Sequence, residues 1–519
     1  MRWLLLIPVL LVFCLAINAQ RPRLSDVTPN DHAKLAVDFL IKIPHEDRQY
    51  IRFLSYYNFQ NDPNLDRIVK VTRFWINSIH KESDVEFPKE VPNSNGLLYF
   101  VDLRDYNWNS TAWSSVANRE PYFVEPMINS AQAIALRAIS NVTQNKESKD
   151  QKGNRIFPFH CDSIVRADWF IRDTSEQDRS DSYFDLLFAK ERFISTKQIT
   201  KKKVEVNWKG GKWNDKDLPA GKYFYETEDV KFNNANINFP KDEKDFEKVF
   251  GVDLTLDFIK KSGLNLQRGA VVEGAEKGVS IVARNNRLIQ RTYGPIGWYY
   301  KTFDVKDTDG RRDFAETLNK DFDFDAGEIL ARLPGGGQAG LLVDSAGKIL
   351  TVADNKIAHD SSDFKFDTRV RNVTSCVICH SSGIIKPQNL VEEMLKAGVD
   401  IKFKDKKDAR DARSFFLNWG KKLTTDQEEF QEFIQRTSGY KPQENSTNFK
   451  AVRDNYDSPV TAQTAANEVA LSLDMFRMIA ARSTKARVLM LVQNLAIPRK
   501  SWEIDGYYEV IKLLNADKR

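Results

Sequence analysis

Three residues of this 519-residue chain stand at a spacing that suits chemistry. They are Cys376, Cys379 and His380, inside Thr374-Ser-Cys376-Val-Ile-Cys379-His380-Ser-Ser-Gly383. In a C-x-x-C-H run, one helical turn sets both sulfurs where they can form thioethers with the two vinyl groups of a haem. The following His380 then lies under the iron as its proximal ligand. Two other chemistries use the same thiols. A dithiol oxidoreductase activates the first thiol at a helix N-terminus, but such folds put the pair just after a first strand in a compact β-α-β unit. Here the pair falls deep in the chain, ahead of a helical tail. A structural zinc site needs a fourth ligand, usually from a second Cys or His pair, and no such pair is evident in the sequence.

What holds the other face of such an iron decides its use. Methionine raises the potential and suits electron transfer, histidine lowers it, and an open face permits binding or catalysis. The leading distal candidates are Met475 or Met478, which share the helical run Leu473-Asp-Met-Phe-Arg-Met478. Met394, Met490 and His359 are further candidates, as is a five-coordinate iron with no protein ligand there. In the N-terminal half, His160-Cys161-Asp162 is the unusual feature. A lone Cys161 reads first as a small buried apolar residue, with ligation or redox sensing as alternatives. A proximal imidazole normally donates its Nδ1 proton to a backbone carbonyl. The segment Gly383-Ile-Ile-Lys-Pro387 is placed to offer one.

Other motifs dissolve on inspection. Gly335-Gly-Gly337-Gln-Ala-Gly340 satisfies G-x-G-x-x-G, yet an alternating strand pattern follows it where a phosphate cradle needs a helix N-terminus. It reads as a hairpin loop whose glycines let backbone approach a neighbour closely. Asp321-x-Asp323-x-Asp325 opens like a calcium loop but has Ala326 at the sixth position and Arg332 at the twelfth. Lys201-Lys-Lys203 reads as a solvated run. Asp105-Tyr-Asn-Trp108 and Trp298-Tyr-Tyr300 could form a ligand platform, though core packing explains them more simply.

The elements that must position Cys376, Cys379 and His380 follow from periodicity. Residues 20–195 read as a mixed α/β region, with helices at Asp31–Ile43 and Ser130–Asn141 and a strand at 97–102. Residues 196–265, rich in Lys, Asn and Asp, read as an irregular insertion or linker. Residues 266–365 alternate as strands: 279–290 around an Asn285-Asn286 turn, 298–305, and two more within 329–350. Residues 366–519 turn helical, at 390–399, 412–423, 426–434, 462–480 and 488–495. Thr425-x-x-Glu428 has the form of a capping box, and Pro459 signals a helix start. The expected fold class is α+β, the helical tail being the place for a haem domain.

Composition narrows the function classes. With 41% apolar and 29% charged residues the chain is an ordinary globular one, and a net charge of +5 is too small to argue for nucleic acid. Four cysteines exclude a disulfide scaffold. Residues 1–19 read as a signal peptide: Arg2, an apolar run from Trp3 to Ala16, then Ile17-Asn18-Ala19 before a cut at Gln20. Phe13 before Cys14 fits a lipid-attachment box badly, so lipoprotein anchoring is not expected. No later run is long enough to span a bilayer, so no integral membrane segment is expected after signal removal.

On the C-x-x-C-H motif, the chain resembles c-type cytochromes, specifically exported single-haem proteins whose haem module follows a long non-haem region. Ile357-Ala-His359-Asp360, then Arg369-Val-Arg-Asn372 and the cysteine pair, is similar to large uncharacterised bacterial cytochrome-domain proteins. The resemblance implies one covalent haem c on Cys376 and Cys379, with His380 axial to its iron, and a periplasmic location. The expected function is electron transfer to a redox partner protein. The alternatives are a peroxidase-like haem enzyme, with His160 or His359 as acid/base, or a haem-based ligand sensor with an open distal face.

Overall fold

The computed structural model describes residues 27–516 apart from 81, 123–126, 137–147, 150–154, 159–162, 176–181, 188–239, 241, 256–265, 272–286, 305–323, 355–369, 385–388, 400–412 and 414. His160, Cys161, His359, the signal segment, Lys201–Lys203, Asp321, Asp323 and the Asn285-Asn286 turn therefore lie outside the described residues.

The N-terminal region begins with α1 (Pro29–Lys42), started by Pro29 and by a true capping box. There the Thr28 hydroxyl accepts from Asp31 N at 3.2 Å, and Thr28 N donates to the Asp31 carboxylate at 3.0 Å. It continues through β1 (Ile51–Ser55), α2 (Leu65–Asn77), β2 (Lys89–Glu90), β3 (Leu98–Asp102), α3 (Ser110–Ala117), β4 (Met127–Asn129) and α4 (Ser130–Ala135). Then come β5 (Ser148–Lys149), β6 (Arg155–Pro158), β7 (Ile164–Arg166), α5 (Ala167–Thr174) and α6 (Ser182–Leu187). Strand order is β2-β3-β1-β7 in one sheet, with β1 antiparallel to β3 and parallel to β7, and β4-β6-β5 in another. Within the span expected to be irregular, Glu243–Phe250 forms helix α7, capped by Asp242 and closed by Gly251 at φ 66°.

Strands β8 (Leu266–Val271), β9 (Arg287–Tyr293), β10 (Trp298–Asp304), β11 (Ala326–Arg332) and β12 (Gln338–Asp344) form a five-stranded sheet with neighbours in chain order, all antiparallel. The glycine run closes the β11–β12 hairpin, where Leu333 N donates to Gly337 O at 2.8 Å and Gly336 sits at φ 102°. Trp108, Trp298, Tyr299 and Tyr300 are all core residues, so the two aromatic segments are packing, not a platform.

After the sheet come α8 (Thr374–His380), α9 (Leu390–Lys396), α10 (Trp419–Ser438), α11 (Pro442–Asp457), α12 (Ala462–Glu468), α13 (Leu473–Ala480), α14 (Ala486–Val492) and α15 (Tyr507–Ala516). The helix read over 462–480 is thus two helices, separated where Ala470 takes φ 55°. Thr425 does not start a helix either. It lies inside α10, where its hydroxyl donates back to Lys421 O at 3.3 Å. Among the described residues no helix is long and apolar enough to cross a membrane.

The chain is an α+β protein in which one buried core draws on every region, including Trp75 and Trp108, Tyr299 and Leu341, Phe433 and Trp502. Helix α10 packs on α2 through Phe74 and Phe433, with ring centroids 6.0 Å apart. It meets the sheet through a buried ion pair, Arg291 Nε to Asp426 Oδ2 at 2.5 Å, with the Tyr300 hydroxyl also donating to Asp426.

A second buried polar network ties the first sheet to the last helices. Arg166 Nη2 reaches Asp168 Oδ2 at 2.6 Å and Glu468 Oε1 at 3.3 Å, while Arg499 Nη1 meets the same Glu468 oxygen at 2.5 Å. Trp502 Nε1 donates to Glu468 Oε2 at 2.7 Å, and Tyr57 donates to the Glu468 carbonyl at 2.9 Å.

Candidate functional site

The seven-residue helix α8 is held at its start by a buried asparagine. Asn372 Oδ1 accepts from Val373 N and from Leu342 N of β12, each at 3.0 Å. Val373 itself takes φ 59°, ψ −59°, an uncommon conformation for a β-branched residue. Its strain sits next to the motif, where strain most often marks a functional turn. From the other side α11 fixes the helix end: Asn445 Nδ2 donates to Ser381 O at 2.8 Å and Ser446 Oγ to Ile378 O at 3.3 Å.

Helix α8 lies close on β12 because position 340 is glycine. A Cβ there would stand 2.9 Å from Cys376 Cβ and 3.3 Å from its sulfur. Cys376 is buried, Cys379 half-buried, and the two are not joined in a disulfide. Burial pushes the Cys376 thiol well above its ordinary pKa, and the Glu328 carboxylate that it bonds reinforces this, as does Cys379. A redox dithiol requires the reverse, an easily formed thiolate, so this environment counts against that reading.

The His380 ring is oriented as the sequence led us to expect. Its Nδ1 lies 3.3 Å from Gly383 O, and since a carbonyl only accepts, this contact puts the proton on Nδ1. The ring's other nitrogen, Nε2, is 3.6 Å from Glu328 Oε1, beyond hydrogen-bond distance. Gly383, at φ 133°, makes this return turn beside Gln427, where a side chain would collide.

A narrow, partly open cleft lies beside Cys376 and His380, walled by Phe74, Trp75 and Phe430. Gln338 also faces it, and both of its amide atoms are buried without a hydrogen-bond partner. Neither Met475 nor Met478 lines this cleft, and the same holds for Met394 and Met490. Met475 and Met478 are 45% and 58% exposed on α13, whose buried face is Phe476, Ile479 and Ala480. The structure therefore brings Cys376, Cys379 and His380 together on one helix and leaves the two methionines on an outer face. Sequence reasoning missed Glu328 and Gln338 as site residues, since they come from strands and carry no spacing signature, whereas the close approach at Gly340 was read from its glycine run.

The donor set fits the haem that the motif implies. It comprises two thiols one turn apart that are not joined in a disulfide, an imidazole held by its Nδ1, and an orphaned amide in the adjoining aromatic-walled cleft. Among the described residues no group of three or more His, Cys, Asp and Glu is arranged to hold a metal ion by itself. No family model matches the chain, and comparisons with curated proteins and with solved structures find no match.

Proposed function

We propose that the protein is an exported, periplasmic c-type cytochrome that carries one covalent haem and passes electrons to a redox partner protein. Cys376 and Cys379 would hold the haem as thioethers, and His380 Nε2 would ligate its iron. When bound, the group supplies one-electron exchange between ferrous and ferric iron. The observation that supports this reading is the pairing of C-x-x-C-H with the His380 Nδ1 contact to Gly383 O, which leaves Nε2 as the nitrogen that would coordinate. The chain's own part is positional: Asn372 and Asn445 fix the helix, Gly340 admits Cys376 against the sheet, and Phe74, Trp75 and Phe430 wall the cleft.

A second reading is favoured by the cleft itself. It lies next to His380, no methionine lines it among the described residues, and it contains an unused amide. An open iron face there would suit a peroxidase-like haem enzyme or a ligand sensor.

The test is a haem stain of denatured protein exported alongside haem-maturation machinery, with a reduced-minus-oxidised spectrum. Wild type should retain haem through denaturation, and Cys376→Ser/Cys379→Ser should lose it completely. A low-spin six-coordinate iron supports the electron carrier; a high-spin iron that binds added cyanide supports the second reading. Absence of haem from wild type despite competent maturation overturns both.

A further inference from the structure

We propose that Gln338 is the hydrogen-bonding contact by which the cleft engages the group bound beside His380. This rests on the haem reading and deepens it. Most polar side chains around the cleft already have partners within the chain. Ser78 Oγ donates to Phe74 O at 2.9 Å, Ser381 Oγ to Ile378 O at 3.3 Å, and Trp75 Nε1 to Thr174 Oγ1 at 2.7 Å. Cys376 bonds Glu328. Among the described lining residues, the amide of Gln338 on β12 is left without a hydrogen bond at either of its atoms.

A buried amide without partners is costly, and native proteins rarely keep one without a reason. A ligand that enters this cleft and meets His380 also meets a donor and an acceptor in Gln338. The chemistry recognised is an acceptor oxygen or nitrogen taking the Nε2–H of Gln338. It has two sources, a propionate carboxylate at the porphyrin edge or a small ligand carried on the iron.

The experiment compares holo wild type with Gln338→Leu, which removes donor and acceptor, and Gln338→Glu, which removes the donor. Three readouts are taken: haem retention on a denaturing gel, the reduced-to-oxidised ratio at a fixed ambient potential, and cyanide affinity of the ferric form. Loss of one such hydrogen bond should change the redox ratio or the cyanide affinity about fivefold, with covalent haem retained. A shifted ratio with unchanged cyanide affinity assigns the contact to the propionate; a shifted cyanide affinity assigns it to a ligand on the iron. If Gln338→Leu fails to accumulate, Gln338→Glu is judged by the same two ratios. Haem-loaded variants that match wild type in both ratios overturn the role of Gln338 and leave the cytochrome reading standing. Wild type without covalent haem overturns both.

Discussion

Around Glu468, two arginines, an indole and a phenol are turned onto one residue, and nearly all of their capacity is used within the chain. Even Arg166 Nη1, which lacks a hydrogen bond, belongs to a guanidinium stacked 3.7 Å over the Tyr122 ring. Beside His380, the amide of Gln338 is left without a hydrogen bond at either atom where it lines the cleft. Buried polar groups that satisfy one another hold elements in place; buried polar groups left over point to something that arrives from outside. The Glu468 cluster is a clasp between the first sheet and the last helices, and the His380 cleft is, on the function proposed here, a receiving site.

If that contrast is right, breaking the clasp should cost stability and leave the cleft's chemistry intact. Glu468→Ala leaves Arg499 buried without its carboxylate, while Arg166 keeps Asp168, and an uncompensated buried charge costs about 3–5 kcal/mol. Urea unfolding should show that loss, while the visible spectrum of the surviving folded fraction stays that of wild type. Burial raises the Glu468 pKa, but Arg166 and Arg499 outweigh it and hold the group below the usual carboxylate range. A depressed pKa gives stability that is present above the unfolded value and lost as pH falls through the folded one.

Glu120, in the same network, titrates in the opposite sense. Burial raises it to about 8 against the pull of Arg166, whose N donates to Glu120 Oε1 at 2.9 Å. A raised carboxyl contributes stability that is complete below its unfolded value near ~4.3 and is lost as pH rises toward about 8. Glu120→Gln should therefore match wild type near pH 4 and exceed it by roughly 4–5 kcal/mol at pH 8, the difference being read from urea midpoints at the two pH values. Parallel pH profiles for the two proteins would show that Glu120 is ionised in the fold.

Much of the receiving site was legible before the fold was known, and the clasp was not. Cys376, Cys379, His380 and the Gly383 carbonyl lie within eight residues, so one turn of helix and one tight return set their relation. The β11–β12 hairpin was legible for the same local reason, its glycines marking the turn. Arg166 meets Glu468 from 302 residues away and Arg499 meets it from 31, and no spacing rule relates the three. Gln338 and Glu328 were hidden likewise, since their meaning depends on which face of a strand α8 covers. The break at Ala470 had no glycine or proline to announce it. Met475 and Met478 looked usable as ligands because periodicity reports a helix without saying which side of it faces the core.

The smallest effect separates two threonines of similar local appearance. Thr461 caps α12, the helix that ends on Glu468, and its hydroxyl accepts from Thr464 N at 3.1 Å. Thr425 resembles a cap by sequence but sits in the middle of α10, which walls the cleft. Thr461→Ala should cost about 1 kcal/mol, the usual value of a lost N-cap. Thr425→Ala should change stability by less than about 0.5 kcal/mol, and in the stabilising direction, because alanine favours a helix interior and the hydroxyl's bond to Lys421 O competes with the helix rather than starting it. In a Glu468→Ala background the clasp no longer depends on where α12 ends, so the cost of Thr461→Ala should shrink while that of Thr425→Ala stays put. Equal costs for Thr461→Ala in both backgrounds would mean that α12 and the clasp are held independently, and that the polar cluster around Glu468 fastens less of the fold than its hydrogen bonds suggest.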